Sequence, residues 1–303
     1  MPVRIAVAAA LVVASTIGVG LLFRRSLGGT DSLPLLVAAS LVAQSVPLLV
    51  VIGVTVLVDR RWITDLGLGI DRDWWVDLGF GMTLGAGLMT GIFLVSLGLG
   101  WIRIVGWLAV DGTTMGFVAA FLFMTGFFAV AGIAEEVLVR GYLLTNLAEG
   151  LVGLLSRRPA IGTAVVVSSA VFGGAHVMNP NATGVSTLGI AIAGFLLAAG
   201  YVLTGDLAIP IGLHLTWNLF QGPVFGFPVS GMGFGVSLVD TVETGPDVAT
   251  GGVFGPEAGL LGVGAIAVGI LLVAGYVRRR YGVLRLNARL TEPALRWRGR
   301  GPS

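Results

Sequence analysis

Residues 114–152 read TMGFVAAFLFMTGFFAVAGIAEEVLVRGYLLTNLAEGLV, an apolar run that passes through Glu135, Glu136 and Arg140 without a break. Read as one helix it is roughly 55–60 Å long at about 1.5 Å per residue, against a hydrocarbon core of ~30 Å. Such a helix must tilt, kink or emerge from the bilayer. Glu135, Glu136 and Arg140 within it are costly in lipid and mark either a function or a structural pair.

The rest of the chain has the same character. Of 303 residues 55% are hydrophobic and only 11% charged, where a soluble domain carries roughly 25% charged residues. The mean hydropathy is +0.95. The bilayer is therefore the solvent, and spans are the unit to count. No cysteine is present, which excludes disulfides and thiolate metal sites.

Seven further apolar segments flank the first: Ile5–Phe23, Leu33–Val58, Trp75–Ile102, Ala160–Met178, Val185–Leu203, Leu207–Phe220 and Ala258–Val277. The expected fold is all-α, a polytopic membrane protein of about eight transmembrane helices. Residues 1–277 form one membrane domain and 278–303 a basic tail. In the third span the pairs Gly81/Gly85 and Gly87/Gly91 have the spacing that lets helix backbones approach closely. Pro210 suits the first turn of its helix. Trp74, Trp75 and Trp107 read as interfacial anchors. The stretch Gly222–Glu257 reads as a Gly- and Pro-rich loop holding Asp240, Glu243, Asp247 and Glu257.

Arginine asymmetry sets the orientation. Arg278, Arg279, Arg280, Arg285, Arg289, Arg296, Arg298 and Arg300 make the tail cytoplasmic. Eight spans place the N-terminus on that side too, with Arg60, Arg61, Arg72, Arg157 and Arg158. Arg24, Arg25 and Arg103 fall on the other. The expected setting is the cell membrane, with the lipid bilayer and a peptide or protein substrate as partners and no nucleic acid.

Glu136 and Arg140 are four residues apart, share a helix face and can pair, with the acid in the favourable N-terminal position. Glu135 is rotated about 100° from Glu136, so it is free to face a cavity. The only two histidines stand in other apolar segments, in Phe172-Gly-Gly-Ala-His176 and His214-Leu-Thr-Trp-Asn218. His214 and Asn218 share one face, as do Phe172 and His176. Three helices can thus converge a carboxylate, two imidazoles and an amide, while Gly173 and Gly174 admit a close neighbour.

Hydrolysis is the chemistry that uses such a set. A carboxylate near an imidazole takes a proton from water and returns it to the leaving amine, and imidazole and amide donors stabilise an oxyanion. Glu135, His176 and His214 are also a possible zinc set, since two histidines and a carboxylate make a known hydrolytic metal site. The absence of His-Glu-x-x-His excludes the commonest metalloprotease arrangement. Other classes use the same residues: a membrane scaffold, a proton-coupled transporter, or a haem protein with two axial histidines.

In order, these motifs read Glu-Glu-x-x-x-Arg, Phe-x-x-x-His and His-x-x-x-Asn. The sequence thereby resembles the CAAX proteases and bacteriocin-processing enzymes, the Abi family, which includes the Ras-converting endopeptidase. The resemblance covers about residues 117–220. It implies an eight-helix intramembrane endopeptidase acting on a prenylated or leader-type substrate. On that resemblance Glu135 and His176 activate water, and His214 and Asn218 stabilise the oxyanion. Glu136, Arg140 and Phe172 support them. Participation of a divalent metal such as zinc stays open.

One expectation conflicts with another. Counted from Arg158, His176 lies about 27 Å along its span, near the far side, whereas Glu135 belongs nearer mid-depth. A break at Gly173–Gly174, a steep tilt or a thinned bilayer would each reconcile them.

Overall fold

In hydrocarbon a backbone N–H has no partner except another part of the chain, so long apolar runs fold as helices. The computed structural model describes residues 2–27, 33–111, 115–293 and 295. Helices α1 (Pro2–Leu27), α2 (Leu33–Gly53) and α3 (Arg72–Gly98) come first, α2 continuing as a π turn over Val54–Val58. Strand β1 (Ile102–Val110) follows. The decisive segment is one continuous helical stretch: α4 (Phe117–Glu136), a π-helical section (Val137–Leu144) and α5 (Thr145–Leu151). Then come α6 (Arg157–Ala175), α7 (Gly184–Thr204), α8 (Ala208–Leu219), β2 (Val236–Glu243), the single turn α9 (Asp247–Thr250) and α10 (Leu260–Tyr281).

Among the described residues seven helices are long and apolar enough to cross a membrane. The eighth expected span is α8, whose 12 residues reach only about 18 Å. It is nonetheless buried from Ala208 to Leu213. A π turn, Phe220–Val224, continues it toward the opposite end of the molecule.

α3 and α8 pack most intimately. A methyl group on Gly81 or Gly85 would overlap the carbonyls of Ile209 and Leu213, and one on Gly212 the carbonyl of Leu78. Thr216 Oγ1 donates across this seam to Met82 O at 2.8 Å. Gly87 and Gly91, read from sequence as a second such pair, have nothing within 4 Å. Spacing alone does not say which glycine face meets a partner.

Charged groups gather at one end of the helices. Arg4 reaches Asp59 at 3.5 Å, Arg61 bridges Asp65 at 2.9 Å and Glu149 at 2.5 Å, and Arg280 pairs with Asp73 at 2.7 Å. Arg157 meets Glu292 at 2.6 Å. Both ends of the described chain therefore lie at this end of the molecule. Arg296, Arg298 and Arg300 fall outside the described residues.

The opposite end departs from the sequence reading. Residues after Ile102, and the stretch Gly222–Glu257 taken as loop, contribute an antiparallel strand pair running from Ile102↔Glu243 to Val110↔Val236. Over a hundred residues separate the partners, so no local pattern could pair them. Trp74 also differs from expectation. It is buried at 7% exposure in the core, while Trp75 and Trp107 are exposed.

Candidate active site

The α-helical register of α4 stops at Glu136, and the π section begins at the next residue. Single π turns inside α-helices recur at functional sites because they shift side chains relative to the regular face. Here the break falls between the paired carboxylates and Arg140.

Glu136 and Arg140 are fully buried, with Nη1 of the arginine 2.9 Å from Oε1 of the acid. The same Oε1 lies 2.8 Å from His214 Nδ1 on α8. Gly132 makes this meeting possible, since its missing Cβ leaves α4 close to His214 and the Leu215 backbone. Arg140 also donates to Gly194 O of α7 at 3.3 Å. Its guanidinium lies 4.2 Å over the Phe172 ring, where the negative ring face attracts a cation. The edges of that ring meet His176 at 5.1 Å and His214 at 5.9 Å between centroids. Phe172 thus packs against the Arg140 guanidinium and both imidazoles at once.

Glu135 faces the other way. Its side chain keeps 37% of its exposure, and Oε2 is 3.8 Å from His214 Nε2. Glu135, Phe172, His176, His214 and Asn218 all line one cavity of about 190 Å³. Glu136 and Arg140 lie behind its wall. His176 caps the C-terminus of α6, with Nδ1 2.8 Å from the Phe172 carbonyl. Neither carboxylate comes within ion-pair distance of it, and the imidazole nearest Glu135 is that of His214.

The conflict over depth disappears when both residues are counted from the charged end. Glu135 stands 16 residues from Leu151 and His176 19 residues from Arg157, or about 24 and 28 Å. The two are nearly level. α6 stays helical through Gly173 and Gly174 up to Ala175, so no break is needed. Gly173 packs on α7, where a Cβ would meet Thr187 O at 2.6 Å, and Gly174 faces open space.

Among the described residues no three His, Asp or Glu side chains gather in a way that could hold a metal ion. The sequence-derived trio of Glu135, His176 and His214 is therefore not assembled as a ligand set. His214 is turned by Glu136, and His176 is tied to its own helix.

Sequence reasoning missed the far wall of the cavity. Val229, Ser230, Met232, Phe234 and Glu257 line it. Glu257 is 4% exposed, and its Oε1 accepts from Ser230 N at 2.7 Å and Ser230 Oγ at 3.1 Å. Gln221 donates to its other oxygen. Burial pushes the Glu257 carboxyl up to about 7, against backbone and side-chain hydrogen bonds that favour the ionised form. A glutamate in a polar loop carries no local signal of burial. Gln44 of α2 also lines the cavity.

Fold and site together define a polytopic helical membrane protein with a carboxylate and two imidazoles around an internal cavity. A family model described as Type II CAAX prenyl endopeptidase Rce1-like matches residues 117–220, the region and the family indicated by the three motifs. This match supports a CAAX-type intramembrane endopeptidase in general terms. Comparison with curated proteins and with solved structures gave no match.

Proposed function

We propose that this protein is an intramembrane endopeptidase that hydrolyses a peptide bond of a membrane-associated substrate, prenylated or leader-type, with Glu135 as general base. The observation that carries this reading is the contrast between adjacent carboxylates. Glu136 is wholly buried against Arg140 and His214, whereas Glu135 opens into the cavity shared with His176, His214 and Asn218.

Glu135 takes a proton from a water in the cavity, and His176, across the cavity, orients that water. The hydroxide attacks the scissile carbonyl carbon. A carboxylate faces each ring nitrogen of His214, and the imidazolium is the form that donates from both. Nδ1–H is held by Glu136, which leaves Nε2–H, with the Asn218 amide, for the developing oxyanion. Glu135 then returns its proton to the leaving amine. Glu136, with Arg140 and Phe172 packed behind it, fixes the ring of His214.

The arginine-rich end, where both ends of the described chain gather, is the cytoplasmic one by the positive-inside rule. The substrate bond therefore lies about 24–28 Å from that end, along the helices.

Purified full-length protein in proteoliposomes, incubated with a peptide library, tests the reading. Glu135→Gln is expected to abolish cleavage while the protein still inserts and keeps its melting temperature. Cleavage by that variant at the wild-type rate would refute the assignment.

A further inference from the structure

The turn Val229–Met232 has all its central polar groups already engaged. Ser230 N–H and Oγ–H donate to Glu257, and Gly231 N–H donates to Phe254 O at 2.7 Å. The Ser230 carbonyl accepts from Asn179 Nδ2 at 3.0 Å and the Gly231 carbonyl from Asn181 Nδ2 at 3.3 Å. Val229 and Met232 bond to each other, N–H to carbonyl in both directions, at 2.9 and 3.0 Å.

The turn is also conformationally forced. Ser230, Gly231 and Asn181 all have positive φ, at 49°, 83° and 58°. A side chain on Gly231 would collide with the Pro180 carbonyl. Backbone held in such regions persists only where the surroundings over-determine it, and it clusters at ligand clamps. Asn179 and Asn181 lie three and five residues beyond His176, so the turn is fastened to the segment that carries a proposed catalytic group. Glu257 fastens it from the turn Pro256–Ala258 that precedes α10.

With its backbone spent internally, the turn can offer a substrate only side chains. Those on the cavity are Val229, Ser230 and Met232. Val229 is buried at 3% exposure, Met232 is 36% exposed, and the Ser230 hydroxyl is held by Glu257. Met232 is the one free to meet an incoming side chain. We propose that Met232 sets how large a substrate side chain is admitted beside the scissile bond, and that Glu257 is the positioning residue that holds this wall in place. The proposal rests on the endopeptidase reading above.

The test uses full-length protein in proteoliposomes and peptides identical except for one residue flanking the cleaved bond, small (Gly, Ala) or large (Leu, Phe). Met232→Ala is expected to raise the large-to-small ratio of kcat/KM about tenfold, and Met232→Trp to lower it by a similar factor. Glu257→Ala frees the turn. It is expected to blur the ratio and to raise KM about fivefold, with a smaller change in kcat. Glu257→Gln keeps an acceptor for Ser230 and falls between Glu257→Ala and wild type. A ratio unchanged in both Met232 variants overturns the proposal, as does a Glu257→Ala effect confined to kcat with the ratio intact. If wild type cleaves, Glu135→Gln does not, and the ratios stay fixed, only this proposal falls. If wild type cleaves none of the peptides, or Glu135→Gln matches it, the endopeptidase reading falls first.

Discussion

Glu136 Oε1 and His214 Nδ1 are 2.8 Å apart, joining α4 to α8 inside the bilayer-embedded core. The carboxylate next to the proposed base is therefore a partner of the proposed oxyanion donor, besides pairing with Arg140. On the proposed reading, neighbouring glutamates divide into one that holds the site and one that works in it.

That division predicts different failures for two nearly identical substitutions. Glu136→Gln leaves Arg140 without its counter-ion in a fully buried position, and removing one member of a buried pair costs about 3–5 kcal/mol. Low yield and a depressed melting temperature in detergent are expected. Glu135→Gln should melt like wild type and lose turnover instead. Equal melting temperatures for the two variants would contradict the assignment.

Asn218 is expected to act on the transition state and not on binding. Asn218→Ala should lower kcat by about 10²–10³, the range for losing one oxyanion donor, with KM nearly unchanged. A rise in KM alone would move Asn218 from catalysis to substrate binding.

The α3–α8 seam gives a paired stability test. Gly85→Ala places a methyl against the Leu213 carbonyl and Thr216 Oγ1, and overpacking of this kind costs about 1–3 kcal/mol. Gly87→Ala, two residues on, meets nothing within 4 Å and should be neutral or slightly stabilising, since alanine favours helix. Thermal melting of the two variants separates them.

These glycines also show what the sequence could reveal. Span positions are written in runs of apolar residues, and each expected span edge falls close to an observed helix end. The motif residues carry fixed helical spacings, so the pairing of Glu136 with Arg140 is legible in the spacing alone. Which face of α3 meets α8 depends on tertiary placement, and both glycine pairs looked alike. His214 Nδ1 turned toward Glu136 was hidden for a similar reason, because the contact links residues 78 apart. The strand pair and the burial of Glu257 were hidden more deeply still. β2 and Glu257 both lie in a stretch whose composition reads as loop.

Glu257 predicts a pH dependence with a definite sign. Its folded-state carboxyl titrates at about 7 against an ordinary value of 4.5. Between those values the folded protein binds the proton more tightly than the unfolded chain does. Stability contributed by this group is present below about pH 4.5 and is lost as pH rises toward 7. The span corresponds to roughly 3 kcal/mol. Melting temperatures measured across that window should fall with pH in wild type, and Glu257→Gln should flatten that component of the slope. An unaltered slope in the variant would assign the dependence to other groups.

The stretch matched by the family model ends at Phe220, and the next residue, Gln221, donates to Glu257. On the readings proposed above, the gene therefore writes reaction chemistry and substrate selection in two consecutive passages with a border at one peptide bond. Exchange of side chains in the turn Val229–Met232 would alter what is cut. The bonds of that turn to Asn179 and Asn181 limit how far the passage from Gln221 to Gly259 can change before His176 is disturbed. A protein built this way can acquire new targets by editing a loop outside its membrane spans, where the bilayer imposes no limit on composition.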